Sequence, residues 1–380
     1  MSLSTIAAFL EMTREAPLRD ASYILNDTAK RSYTIQKLIS AKPSDSVVRT
    51  GDKIVEELKL LQVGNYSEFA PGDAVTVNGG MSRVQAQWHW RFARNHKPIN
   101  RFQTTMNRGT DQVTVLKTFA KQLRNDIAQD HVDGMEGRIW GPTVSTMETE
   151  TELTSAKPFS IPTYITEQTA PVGLAGTGTL ANVNFTTYTK WDNQRYGYDS
   201  TDPFGASGLI RAFDEMQTLV QFKPPTGKGS EAFSPDMRGR TMIFTNRDGQ
   251  SLFKAACRAG NDSFMRAKND PAYSSVEWLG VELVYAAQLD EALLEQSSGT
   301  AYSSAAYTAG KPRYFWVNPE FLWPNFHPEH YMNEVVKDGG AQYPDMEAIF
   351  NESMWQVICT SRRRQGLVCP AASWVTNSST

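Results

Sequence analysis

An Asn-Gly pair followed by a strongly alternating segment constrains this chain more than any other feature. Asn78, Gly79 and Gly80 tolerate the positive φ angles that a tight hairpin turn requires. The pattern predicts a long β-hairpin with strands over residues 74–77 and 83–92. The second strand alternates, and one of its faces carries Val84, Ala86, Trp88 and Trp90. An isolated hairpin is only marginally stable in water, so this face needs packing from its own domain or from a neighbouring subunit.

Length and composition exclude several classes of protein. The chain has 380 residues, which suggests about two or three domains, with 40% hydrophobic residues and a formal net charge of −3. These values exclude an intrinsically disordered chain and a polycation that binds nucleic acid through its overall charge. Three cysteines are too few for a disulfide scaffold. No segment resembles a signal peptide or reaches the ~18 apolar residues of a membrane span. We therefore expect a soluble protein that folds in a reducing compartment.

Hydrophobic spacing predicts the remaining elements. Residues 52–61 fit a short helix, and residues 111–134 fit a long amphipathic helix that Gly134 would end. Further helices are predicted over residues 209–220 and 250–264. Further strands are predicted over residues 241–245, 277–289 and 314–317. The chain would close with a hairpin over residues 354–370 that turns near Gly366.

No motif in the sequence supports an enzyme. The loop at Lys228 lacks both the upstream glycine and the following Ser or Thr of a phosphate-binding loop. His327 and His330 are three residues apart, but Pro324 and Pro328 argue against a helix that presents both to a metal, and no third ligand is evident. We therefore expect structural histidines, no catalytic residues, no cofactor and no metal.

One basic run stands out. Arg362, Arg363 and Arg364 are consecutive, and three like charges on one turn repel each other unless they are compensated. They are candidates for contacts with a neighbouring subunit or with nucleic acid. The alternative is a solvated turn. Together with the predicted hairpin and long helix, the run favours a self-assembling subunit over a compact enzyme.

The order of the elements over residues 50–372 resembles the Hong Kong 97-like fold of tailed-bacteriophage major capsid proteins. Residues 52–58 with the turn at 78–80 resemble its extended loop, and residues 115–142 resemble its spine helix and glycine-rich exit. Residues 355–368 resemble its closing hairpin. The resemblance implies an α+β fold in five parts. These are an N-terminal arm (1–50), an extended β-hairpin loop (51–109), a peripheral domain with the spine helix and an insertion (110–204), an axial domain (205–345) and a peripheral return (346–380).

The function that this resemblance implies is structural. Copies would form hexamers and pentamers of an icosahedral head around packaged double-stranded DNA, assembled in the host cytoplasm with a scaffolding protein, a portal and, as a further candidate, a decoration protein. The candidate inter-subunit contacts are Asn78, Gly79, Gly80, Arg83, Trp88, Trp90, Arg362, Arg363 and Arg364. The hairpin tip offers an arginine rather than a lysine, so the shell would be held non-covalently. The alternatives are an encapsulin-like nanocompartment shell protein, a tail or baseplate protein, and a soluble α+β hydrolase.

Overall fold

The computed structural model describes most of the secondary structure of the chain. The described residues are 34–40, 51, 53–60, 83–100, 112–141, 158–166, 179–184, 187–199, 202–205, 208–220, 241–259, 276–290, 312–338 and 346–370. The predicted turn at residues 78–80 and the predicted strand at 74–77 lie outside them, as does most of the predicted arm. The chain divides into two compact units, which are described separately.

The smaller unit takes its described residues from 91–137 and 326–355. Its strands are β3 (Arg91–Asn100), β12 (Asn333–Asp338) and the part of β13 (Met346–Cys359) that ends at Trp355. Strand β13 lies between the other two and pairs antiparallel with both. A long helix (Gln112–Ile139) contacts this sheet through ion pairs of Arg124 with Glu334 and of Lys97 with Asp126.

The larger unit is built on a six-stranded mixed sheet in the order β6-β14-β10-β7-β9-β8. Its strands are β6 (Gln194–Tyr198), β7 (Met242–Thr245), β8 (Val276–Trp278), β9 (Val281–Tyr285), β10 (Tyr314–Val317) and β14 (Gly366–Pro370). The smaller strands of this unit are β1 (Lys53–Lys59), β2 (Arg83–His89), β4 (Thr179–Leu180), β5 (Val183–Asn184) and most of β11 (Leu322–Phe326).

Four helices accompany these strands in the larger unit. They are α1 (Thr34–Ser40), α3 (Ile161–Tyr164), α4 (Leu209–Val220) and α5 (Arg247–Ala259), and the long helix of the smaller unit is α2. The aromatic core lies between α4, α5 and the sheet, where the ring of Phe213 contacts those of Phe253, Trp278, Tyr314 and Trp316. Helices α4 and α5 and strands β7 and β10 confirm the elements predicted at those places.

The predicted helix over residues 52–61 is wrong. Residues 53–59 form strand β1, which pairs antiparallel with β2 from Lys53 opposite His89 to Lys59 opposite Arg83. Ile54 and Leu58 are buried, and a spacing of four residues puts two side chains on one face of a strand as well as of a helix. The long-range pairing with β2 therefore decides the outcome. The described partner of residues 83–89 is β1, so the sequence also misassigned the partner of this strand.

The long helix does not end at Gly134 but continues to Ile139. Glycine inside a helix costs only about 1 kcal/mol relative to alanine. Met135, Glu136 and Ile139 are buried in the turn that follows, and their burial outweighs that cost. The predicted stripe is confirmed where side chains are described, because Leu123 and Ile127 are buried.

Two further predictions are wrong in their connections. Residues 277–289 contain not one strand but the antiparallel pair β8 and β9, because Leu279 and Gly280 both have positive φ and close a tight turn. The closing segment is not a hairpin, because β13 and β14 belong to different sheets. Gly366 begins β14, and a Cβ there would lie 2.3 Å from the sulfur of Met216 on α4. The glycine is required by close packing of strand and helix rather than by a turn.

Candidate functional site

The candidate contact residues separate into a buried group and a surface group. Arg83 belongs to the surface group. Its guanidinium donates to Glu57 on the paired strand at 2.8 Å, and the two side chains are 69% and 62% exposed. Exposed ion pairs of this kind contribute little to stability, so both side chains are available to exchange partners.

Trp88 is buried within the chain. The alternation predicted for this strand is confirmed, because Ala86, Trp88 and Trp90 are buried. The Trp88 Nε1–H donates to the hydroxyl of Tyr164 at 2.9 Å, and that hydroxyl donates to the carbonyl oxygen of Val357 at 2.8 Å. This relay joins β2, α3 and the end of β13 inside the larger unit. The premise that the strand could not bury this indole without a neighbouring subunit is wrong.

Trp90 is held in the same unit. Its Nε1–H donates to the carbonyl oxygen of Gly51 at 2.9 Å, and only 4% of the residue is exposed. Gly51 has a φ of 140°, a conformation that favours glycine. Any contact of Trp88 or Trp90 with another subunit stays a prediction, since both indoles already have partners in their own chain.

Arg362 is also completely buried. Its guanidinium donates to the carbonyl oxygens of Tyr164 at 2.9 Å and Trp191 at 3.2 Å, and to Oδ1 of Asn193 at 3.3 Å. Burial lowers the pKa of Arg362, and the charge of Asp192 partly opposes that shift. The side chain therefore joins two loops and the short 3-10 turn that it begins. A solvated turn is excluded for this arginine.

Asn193 completes the same lock. Its Nδ2 donates to the carbonyl oxygen of Thr166 at 2.9 Å, and its Oδ1 accepts from the Thr166 backbone N–H at 3.2 Å. Asp192 pairs with Arg195 at 2.7 Å. The loops at 164–166 and 191–195 are thus fixed around the guanidinium by charged and neutral hydrogen bonds.

The other two arginines of the run are half-buried. Partial burial, and secondly the charge of Arg363, lower the pKa of Arg364 to about 10. Repulsion across the run is limited because only Arg363 and Arg364 share the surface. Sequence reasoning could not separate Arg362 from its neighbours, since its acceptors come from distant loops.

Sequence reasoning gave little weight to one exposed side chain and missed an internal amide lock. Phe92 on β3 is 69% exposed, the largest exposure among the large apolar side chains of the described residues. Inside the larger unit, the Gln365 amide accepts from the backbone N–H of Asn318 at 2.8 Å and donates to its carbonyl oxygen at 3.2 Å. A glutamine that follows an arginine run carries no signal for such a role.

Part of the predicted N-terminal arm packs on its own chain. Helix α1 buries Ile35 and Leu38, and Lys37 forms an ion pair with Glu282 on β9. The indole of Trp140 donates to the hydroxyl of Thr34 at 2.8 Å. Residues 34–40 are therefore anchored to the larger unit. No helix in the described part of the chain has both the length and the apolar composition needed to cross a membrane.

Comparison with known proteins identifies the fold. No protein-family model and no curated protein matches this sequence. The chain resembles the cyanophage A-1(L) capsid asymmetric unit with a TM-score of 0.55 at 11% identity, over 94% of this chain and 99% of that chain. It resembles the capsid of an empty GTA particle with a TM-score of 0.52 at 12% identity, over 90% and 92% of the two chains. The capsid of the native GTA particle gives a TM-score of 0.52 at 11% identity, over 94% and 99%. The chain thus has an α+β fold that it shares with these capsids.

Proposed function

We propose that this chain is the major capsid protein of a tailed bacteriophage. One observation carries the proposal: the shared fold extends over 94% of this chain and 99% of a cyanophage capsid chain. Likeness over nearly the full length of both chains favours the role of a whole shell subunit over that of a domain reused in another protein. Hexamers and pentamers of the chain would form an icosahedral head around double-stranded DNA.

The finer assignment is the Hong Kong 97-like fold with the five parts expected from the sequence. Helix α2 is the proposed spine helix, and strands β1 and β2 form the base of the proposed extended loop, whose turn would lie at residues 78–80. The observed length of α2 and the antiparallel pairing of β1 with β2 support this assignment. A scaffolding protein and a portal are the proposed assembly partners, and the virion is the proposed location.

The proposed contacts between subunits use the surface group rather than the buried indoles. Arg83, Arg363 and Arg364 are charged groups that a neighbour's carboxylates can pair with, and Phe92 is the apolar side chain that such a contact can bury. Many modest contacts suffice in a shell, because closure makes each subunit bind several neighbours at once. Non-covalent contacts of this kind are our proposal for the whole shell.

The test is assembly of the purified full-length chain, with its scaffolding protein if one is required. Negative-stain images should contain closed particles tens of nanometres across. Boiled particles should give a single band at the chain mass of 42.4 kDa on a reducing gel. A protein that stays monomeric under every assembly condition would refute the capsid function. A ladder of multiples would refute only the non-covalent shell. Particles from the native source that hold a protein cargo and no DNA would instead identify a nanocompartment.

A further inference from the structure

A tight turn in the smaller unit brings two histidines together. The backbone N–H of His330 donates to the carbonyl oxygen of His327 at 3.2 Å, which closes a β-turn with Pro328 at its second position. Proline fixes the backbone there in advance. Both ends of the turn are bound to Met354 of β13, since His327 donates to its carbonyl oxygen at 2.9 Å and His330 accepts from its N–H at 2.8 Å. The backbone that carries the two rings is therefore held in place.

The turn also supplies a third ligand that sequence reasoning did not find. One nitrogen of each histidine and a carboxylate oxygen of Glu329 lie within 4.8 Å of one another, and the two rings are 5.4 Å apart at their centroids. The prolines that argue against a helix at this place do not prevent clustering, because residues one and four of a β-turn are close in space. The three donors come from four consecutive residues.

These donors match the coordination chemistry of zinc. Two imidazoles and one carboxylate are a ligand set that binds Zn²⁺ with a position left open for water. The Nδ1 of His327 accepts a hydrogen bond of 3.3 Å from the backbone N–H of Glu329, so a lone pair rather than a proton faces into the turn. Glu329 and His330 are exposed, which gives an ion direct access.

We propose that His327, Glu329 and His330 form a surface binding site for a divalent transition-metal ion, with Zn²⁺ as the reference ion. The metal would take the His327 lone pair in place of a hydrogen bond that is long for its type. Hard cations such as Mg²⁺ prefer all-oxygen ligands, so they should not compete. The proposal is independent of the capsid function, because all three ligands belong to one chain.

The experiment is a calorimetric titration of the metal-free full-length chain with Zn²⁺. We expect one ion per chain that excess Mg²⁺ does not displace. Titration with Co²⁺ should produce visible absorption bands of a nitrogen- and oxygen-ligated ion. His330→Gln and Glu329→Gln should each weaken Zn²⁺ binding at least about tenfold, since loss of groups that merely orient a ligand already costs about 10–100-fold. His96→Gln removes another exposed histidine and should leave binding unchanged.

Two results would overturn the site. One is the absence of stoichiometric Zn²⁺ binding to the unaltered chain. The other is an equal loss of affinity in His96→Gln and His330→Gln, which would identify binding spread over surface histidines. Misfolding does not confuse the test, because metal-free thermal unfolding of each variant is measured alongside. If His330→Gln unfolds early, the exposed carboxylate variant Glu329→Gln alone decides, and unchanged binding in it overturns the proposal.

Discussion

Replacement of Arg362 by methionine tests whether a buried guanidinium holds the larger unit together. Methionine has a similar length and no charge, so it fills much of the same space without donating hydrogen bonds. The carbonyl oxygens of Tyr164 and Trp191 would each lose a charged donor. Asp192 would keep its partner Arg195, so the carboxylate is not left unpaired.

The expected loss follows from the two carbonyl groups. A buried polar group that loses its partner costs about 1–3 kcal/mol, so two of them lower the free energy of unfolding by about 2–6 kcal/mol. Arg362→Lys should lose less, because an ammonium keeps the charge but cannot reach all the acceptors that a planar guanidinium reaches. Arg363→Met is the matched control, and because that side chain is half-buried its expected cost stays below about 1 kcal/mol.

Urea unfolding followed by tryptophan fluorescence measures these differences. Trp88, Trp191 and Trp316 are buried in the larger unit and report on it directly. The expected order of midpoints is unaltered chain, Arg363→Met, Arg362→Lys and Arg362→Met, from highest to lowest. If Arg362→Met unfolds with the unaltered chain while Arg363→Met unfolds early, the reasoning from the buried guanidinium fails.

Three more outcomes are expected. Trp88→Ala should lower the free energy of unfolding by about 3–5 kcal/mol, as truncation of a buried aromatic does, whereas Phe92→Ser should reduce assembly and leave unfolding unchanged. Burial lowers the pKa of His131, so the unfolded chain binds its proton first and stability should fall as the pH drops below about 6.5. Burial raises the pKa of Cys359 to about 12, so iodoacetamide should modify the half-buried Cys369 well before Cys359.

Each outcome has its own check. Light scattering beside thermal unfolding separates the two aromatic variants, and a Phe92→Ser chain that assembles normally removes that side chain from the proposed contacts. For the histidine, His131→Gln should flatten the difference in stability between pH 7 and pH 5, and an unchanged slope assigns it to other groups. For the thiols, peptide mass spectrometry dates each modification, and equal rates for both cysteines contradict the burial of Cys359.

The elements that sequence predicted well are those whose packing is local. Helix α4 and strand β10 each have an apolar pattern that matches one period only, and both were placed correctly. Strand β1 was not, because the spacing of Ile54 and Leu58 fits a helix and a strand equally, and its partner β2 is distant in the chain. The capsid-like fold was recognised from the order of elements, even though some of those elements were assigned to the wrong class.

The candidate contacts were harder to predict, because charge and aromaticity do not reveal burial. Arg362 and Arg363 are adjacent and chemically identical, yet only the first lies among backbone carbonyls from loops almost 200 residues away. Trp88 looked stranded on a lone strand, because its partner Tyr164 lies in a short helix with no sequence signal for that hydrogen bond. The histidine turn was dismissed on the assumption that only a helix could bring the rings together.

The position of β14 sets a schedule for the synthesis of this protein. The strand is inserted between β6 and β10, parallel to the first and antiparallel to the second. At ~5–20 residues per second, roughly 10–30 s pass on the ribosome between completion of β6 and arrival of β14. Until then both flanking strands keep an unpaired edge. The nascent chain cannot complete this sheet before translation is nearly over, so a released, fully translated chain is the earliest species able to present a finished larger unit to its neighbours.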